Sequence, residues 1–374
     1  MQFRDLKVQY ARYKEEIDLA IGDVLARADF IGGKDVGELE EQLADYAGVK
    51  HCISCANGTD AMTLLLMAWG VGEGDAVFVP DFTFFSTGEV VAFSGATPVF
   101  VDVIGDTFNM DPLKLERAVE KVVKEGKLKP KVVIPVDLFG LPADYGEILK
   151  VSGKYNLLVL EDGAQSFGGS VGDKRAGSFG DAATTSFFPA KPLGCYGDGG
   201  AVFTGDNQLA ELVRSLKVHG KGDGKYDNVR IGVNSRLDTL QAAVLKVKLK
   251  AFVEHELEDV NRVGKLYNKL LEGAEVPVIP EGFYSSFAQY TIKLGSREQR
   301  DGLQAYLKEK GIPSAVYYQK PMHRQGAFDY LKFDEQDFEV TGELCDIVLS
   351  LPMHPYLSDG DVERVCEEIG RYLK

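Results

Sequence analysis

Short apolar, β-branched runs recur along the first two hundred residues: HCISC (51–55), DAVFVP (75–80), TPVFVDV (97–103), KVVIPVDLFG (131–140), NLLVLEDGA (156–164), ATTSFF (183–188) and GGAVFTG (199–205). Their length and composition predict strands. Most are separated by segments of helical period, among them GELEEQLADYAGV (37–49), NGTDAMTLLLMAWGV (57–71), DPLKLERAVEKVVKE (111–125) and DYGEILKVSGKY (144–155). Strands apolar on both faces, with helices between them, predict a mainly parallel sheet covered on both sides, an α/β fold. The last two runs break the alternation, because a loop with no helix joins them. A long helix is predicted over 236–272. Beyond it the texture becomes a shorter α+β mixture: QYTIKL and PSAVYYQ as extended runs, and helices at 297–310, near 338–349 and at 359–373. These patterns predict a large domain over 1–250 and a small C-terminal domain over 251–374.

Charge narrows the partners. The 374 residues carry 57 Asp and Glu against 42 Lys and Arg, a net charge of −15, which argues against nucleic acid as a partner. The longest apolar stretch, AMTLLLMAWGV (61–71), is too short to span a bilayer, and MQFRDLKVQYARYKEE lacks a signal-peptide core. A cytoplasmic protein without membrane attachment is expected, and five cysteines fit a reducing compartment. Cys52 and Cys55 form a lone CxxC inside a predicted strand; with no second pair or nearby histidines, no metal site is expected there.

Ligands of open α/β sheets sit beyond the C-terminal strand ends. After the first run, Asn57, Gly58 and Thr59 open a helix, either as a simple cap or as an anion site. The second run ends in DFTFFST, where Phe82, Phe84 or Phe85 packs on the sheet or supports a flat ligand. NLLVLEDGAQS places Asp162 and Gln165 after an apolar strand, where a carboxylate needs a cation or strong donors. In TSFFPAKPLGCYGDGGA, Lys191 stands between Pro189 and Pro192 on the loop joining two strands. It fits neither a Walker loop nor a dinucleotide fingerprint. A lysine, an acid, an aromatic plate and a helix start are the parts a pyridoxal phosphate enzyme needs, each of them also open to a purely structural reading.

The motifs NGTDA, FTFFST, LEDGAQS, SFFPAKPLGCYGDGGA, GVNSRLDTLQAA and SLPMHPYL, spread over nearly the whole chain, resemble those of the DegT-type nucleotide-sugar aminotransferases. The resemblance implies fold type I: a mainly parallel central sheet with helices on both faces and a smaller C-terminal α+β domain. It implies pyridoxal 5'-phosphate as cofactor, with Lys191 as the Schiff-base lysine and Asp162 as partner of the pyridine nitrogen. It further implies Gln165 at the ring hydroxyl, Gly58, Thr59 and Ser186 at the phosphate, and Phe84 as the stacking ring. Asn234, of GVNSR, is implied to reach the neighbouring subunit's phosphate site, which implies a homodimer with shared active sites; capping the long helix is its structural alternative. Because the family's dehydratases carry histidine in place of the lysine, Lys191 implies transamination, with L-glutamate as donor and a keto-sugar nucleotide as acceptor.

The branch most resembled aminates the 3-keto form of UDP-N-acetylglucosaminuronic acid, a step toward bacterial surface polysaccharide such as lipopolysaccharide O-antigen. Arg236 is there implied to meet a substrate carboxylate or phosphate, against a salt bridge to Asp238 or to the partner chain as its structural alternative. Around the sugar the chain departs from that branch: Tyr317, followed by Tyr318, stands where histidine is usual, Phe30 where tyrosine is common, and Ala190 replaces a serine. Other 3-keto or 4-keto sugars on UDP or dTDP therefore stay open, as does a non-catalytic regulatory member of the fold.

Overall fold

The computed structural model describes residues 1–224 and 226–374. Helices α1 (Leu6–Arg12), α2 (Lys14–Arg27) and α3 (Lys34–Ala47) precede a long alternation. It runs β1 (His51–Cys55), α4 (Gly58–Ala68), β2 (Asp75–Pro80), α5 (Ser86–Phe93), β3 (Thr97–Val101), α6 (Pro112–Glu125), β4 (Lys129–Val133), α7 (Tyr145–Tyr155) and β5 (Leu158–Asp162). After the short strands β6 (Ser170–Val171) and β7 (Lys174–Arg175) come β8 (Ala182–Ser186), β9 (Gly200–Thr204) and α8 (Asn207–Leu216). The large sheet has the order β1-β9-β8-β5-β4-β2-β3, and β9 alone runs against its neighbours. This matches the mainly parallel sheet expected from the sequence.

Alternation along the strands explains why they read as continuously apolar. Val77 and Val79 of β2 pack with Leu64 and Leu65 of α4 and Val90 of α5. Their neighbours Ala76 and Phe78 pack with Leu115 and Val119 of α6 and Ile148 of α7 on the other face. Both faces are buried along the middle of β2, so consecutive positions there are apolar.

The long helix is α9 (Thr239–Ala251), a π-helical turn (Phe252–Glu256) and α10 (Leu257–Leu270). Then follow β10 (Phe283–Tyr284), β11 (Tyr290–Lys293), α11 (Arg297–Glu309), α12 (Glu339–Ile347), β12 (Val348–Leu351) and α13 (Asp359–Leu373). Strands β11 and β12 pair antiparallel over a second core that includes Val263, Tyr267, Leu303, Leu307, Val365 and Ile369. Met322, Phe328 and Phe338 instead return to the core of the large sheet.

Two predicted elements differ. PSAVYYQ forms only one bridge, Ala315 to Ser350, and leaves the sheet edge so that Tyr317 and Tyr318 join Phe82 and Phe139 in an aromatic cluster. The run 131–140 leaves regular pairing after Val133 and tightens into a 3₁₀ turn at Leu138–Gly140, where Pro135 supplies no N–H to a ladder. No glycine between 194 and 200 has positive φ; close approach makes them necessary instead. A Cβ on Gly200 would stand 2.4 Å from the Asn57 carbonyl carbon. The five cysteines are buried and unpaired, Cys52 and Cys55 among them. Among the described residues no helix is long and apolar enough to cross a membrane.

Candidate active site

The C-terminal ends of β1, β5 and β8 open onto one region. At the first, Asn57 caps α4 by accepting from the Asp60 N–H at 2.8 Å, and the first-turn N–H groups of Gly58 and Thr59 lie ahead of any intrahelical acceptor. Ser186, ending β8, lies against this turn: a Cβ on Gly58 would meet the Ser186 Cβ at 2.9 Å. The two strand ends thereby form a cradle of backbone N–H groups and hydroxyls without room for a side chain at 58, suited to an anion such as a phosphate.

Asp162 ends β5 and is 4% exposed. Its carboxylate accepts from the Thr87 hydroxyl at 2.9 Å and from the Ala164 N–H at 3.2 Å, both neutral donors. Burial raises this carboxyl above its usual range, opposed by those donors and by Lys191. Lys191 is half-buried, and its N–H closes a turn on the Phe188 carbonyl at 2.8 Å. Burial lowers its ammonium to about 8, against the pull of Asp162 and with a further push from Arg4. A buried acid served by neutral donors and a lysine partly deprotonated at neutral pH form a complementary pair.

Gln165, also buried, accepts from the Phe139 N–H at 2.8 Å and donates to the Tyr318 hydroxyl at 3.2 Å. Tyr318 touches Phe82 and Phe84, with ring centroids 5.9 and 6.4 Å apart. Of the three phenylalanines after β2, Phe82 is buried and Phe85 packs on Phe328, while Phe84 is 55% exposed. Tyr317 leans edge-on against Phe3.

Other candidates lie further round. Phe30 is exposed, its carbonyl accepting from the Thr239 N–H at 2.9 Å, and Ala190 is exposed beside Lys191. Asn234 and Arg236 are exposed on either side of Ser235, whose hydroxyl donates to Asp60 at 2.6 Å and accepts from the Ala56 N–H at 3.0 Å. Asn234 does not cap α9, which is preceded by Asp238, and Arg236 forms no ion pair with Asp238 or another residue among the described residues. Sequence reasoning missed Thr87, whose α5 follows an aromatic run, and the cations Arg4 and Lys248.

An anion cradle at a helix start, a buried acid lacking a bound cation and a depressed lysine are the donor set that pyridoxal phosphate requires, and the residues fit it. Fold and site together define a fold type I pyridoxal phosphate-dependent transferase. The model of the DegT/DnrJ/EryC1/StrS aminotransferase family matches residues 11–370, and the chain belongs to that family. Its activity is that of a nucleotide-sugar aminotransferase. The chain is 45% identical to the UDP-2-acetamido-2-deoxy-3-oxo-D-glucuronate aminotransferase of Pseudomonas aeruginosa, covering 98% of each. It is 41% identical to a pleiotropic regulatory protein of Geobacillus stearothermophilus, over 99% of this chain and 98% of the other. A DegT DnrJ EryC1 StrS aminotransferase from Brucella abortus superposes with a TM-score of 0.97 at 49% identity, over 100% and 99% of the chains.

Proposed function

We propose that this enzyme moves an amino group from L-glutamate to the C3 ketone of a UDP-linked N-acetylated sugar acid, for bacterial surface polysaccharide such as lipopolysaccharide O-antigen. It does so in the cytoplasm, as a homodimer whose subunits share sites through Asn234. The observation that carries the chemistry is the half-buried Lys191 facing Asp162, a buried carboxylate held by neutral donors. The acceptor rests on the Pseudomonas relative and on Arg236, exposed and without an intramolecular ion pair.

Bound pyridoxal phosphate supplies an electron sink for the carbanion formed next to the amino nitrogen. The chain's residues do the rest. Asp162 holds the ring nitrogen protonated, and Thr87 fixes the orientation of its carboxylate. Gly58, Thr59 and Ser186 hold the phosphate, Phe84 stacks on the ring, and Gln165 meets its hydroxyl. Lys191 would hold the cofactor through Nζ, and the same Nζ would serve as the base that moves the proton. Arg236 binds the sugar carboxylate or the nucleotide phosphates in a bidentate fork. Phe30, Ala190, Tyr317 and Tyr318 shape the sugar pocket, and the small domain starts near residue 250, within the long helix.

The test is direct. The purified protein should be yellow with bound cofactor and bleach on adding L-glutamate. Run in reverse against a panel of amino-sugar nucleotides, it should consume 3-amino UDP sugars, and turnover confined to 4-amino sugars would overturn the acceptor. A yellow protein inert toward every amino donor would favour a regulatory role, as the name of the Geobacillus relative suggests.

A further inference from the structure

Two cations grip the loop of Lys191 from behind. Arg4 donates to the Lys191 carbonyl at 2.6 Å and to the Pro192 carbonyl at 3.2 Å. Lys248, 2% exposed on α9, donates to the Gly194 carbonyl and lies 5.1 Å over the Tyr196 ring. Neither makes an ion pair among the described residues. The nearest negative charge is Glu256, on the π-helical turn, which itself accepts from Gln9 at 3.2 Å and from the Tyr356 hydroxyl. Arg4 is fixed on both sides: the Phe3 carbonyl accepts from Met353 N–H at 3.1 Å, and Asp5 caps α1.

Committing a half-buried and a fully buried cation to three loop carbonyls is costly unless the position of the loop matters. We infer that Arg4, with Lys248 beside it, is a positioning residue for Lys191, clamping its backbone and placing a fixed positive charge behind its amine. This rests on the role proposed above for Lys191. The clamp limits the arc through which Nζ swings between its two tasks. The charge disfavours a second cation at 191, as a neighbouring cation does for other reactive lysines. The groups facing Lys191 are Asp162 from β5, which favours its ammonium, and Arg4, which opposes it. Around Arg4 stand Glu256, Tyr356, Lys248 and His354.

The experiment compares Arg4→Ala, Arg4→Gln and Arg4→Lys with Arg12→Ala, a surface cation over Tyr13 and Tyr356. On each holoenzyme it reads the pH midpoint of the cofactor's visible band, kcat and KM for the sugar, and the thermal midpoint. Arg4→Ala and Arg4→Gln should move the absorption midpoint up by about half a pH unit or more and lower kcat about tenfold, with KM unchanged. Arg4→Lys should restore the midpoint while kcat stays reduced, because the charge returns without the fork. Arg12→Ala should match the wild type throughout. Wild-type midpoints in both Arg4→Ala and Arg4→Gln would overturn the inference, as would an equal shift in Arg12→Ala. If Arg4→Ala does not fold, Arg4→Gln alone decides. A colourless wild-type protein would instead sink the role of Lys191 itself.

Discussion

Glu161 and Asp162 are consecutive acids on one strand, both buried, and the molecule uses them in opposite ways. Strand geometry sends them to opposite faces of the sheet. Glu161 accepts from the Gly177 N–H at 2.5 Å and the Phe179 N–H at 2.8 Å, and lies against Asp137. Asp137 in turn accepts from Ala143 N–H, the Tyr145 hydroxyl and the Ser166 hydroxyl. That pair is filled from within and ties the 176–179 loop to the sheet. Asp162 has one hydroxyl, one N–H and an open side toward Lys191. A buried carboxylate is therefore no sign of function by itself; what distinguishes a working one is the side its donors leave open.

Removing the amine should have the largest effect. Lys191→Ala should lose about 10⁴-fold or more in the glutamate half-reaction, followed by single-turnover absorbance, since both covalent attachment and proton transfer go. Asp162→Asn comes next, with a loss of about 10²–10³-fold in kcat, comparable to deleting one preorganised electrostatic contact. Glu161→Gln should stay within about threefold of wild type in kcat, as a mutation away from the reacting groups. A greater kcat loss in Glu161→Gln than in Asp162→Asn would break the contrast between the two faces.

Thr87→Val sharpens it further. Valine keeps the volume but removes the 2.9 Å hydrogen bond, one of the two that oppose burial at Asp162. A bond to a charged group contributes roughly 1.5–3 kcal/mol, and the fraction felt in the reaction should lower kcat about tenfold. The sign follows from the charged form being the one stabilised. Without the donor the carboxyl rises, so the acid limb of the kcat profile should move to higher pH. An unchanged acid limb would show that Thr87 serves packing only.

Strand ends made much of this legible before any coordinates. Lys191, Asp162, Gly58, Thr59 and Ser186 each end a strand or follow one, where the apolar pattern stops and polar residues stand out. Helices α1 and α2 were not legible: α2 buries only Ile17 and Val24, too sparse a pattern to announce a helix. Helix α5 was hidden because Ser86–Phe93 follows an aromatic run and lacks a polar face. Lys248 was missed for another reason. In the run KVKLK a lysine reads as solvated, yet this one turns inward to the Gly194 carbonyl, a partner 54 positions away. Arg4 meets carbonyls 187 and 188 positions away, and no local spacing encodes such a contact.

The smallest effect is on stability and should appear in its pH dependence. Burial pushes the Asp137 carboxyl up to about 6, and burial together with Asp137 holds Glu161 well above the usual range. A carboxyl raised in the folded state binds its proton more tightly there than in the unfolded chain. Its contribution is therefore full below the unfolded value and is lost as pH rises through the folded one. The wild-type stability, and with it the thermal midpoint, should accordingly fall between about pH 4 and pH 7, by on the order of 2–3 kcal/mol for a two-unit shift. Glu161→Gln removes the raised titration of Glu161 itself, so the slope should flatten. Asp162→Asn should leave the slope nearly unchanged, because its carboxyl rises less and Lys191 compensates it. Calorimetry at the two pH values on the three proteins separates the faces. Parallel slopes in wild type and Glu161→Gln, with a flattened one in Asp162→Asn, would reverse the assignment of which acid serves the fold.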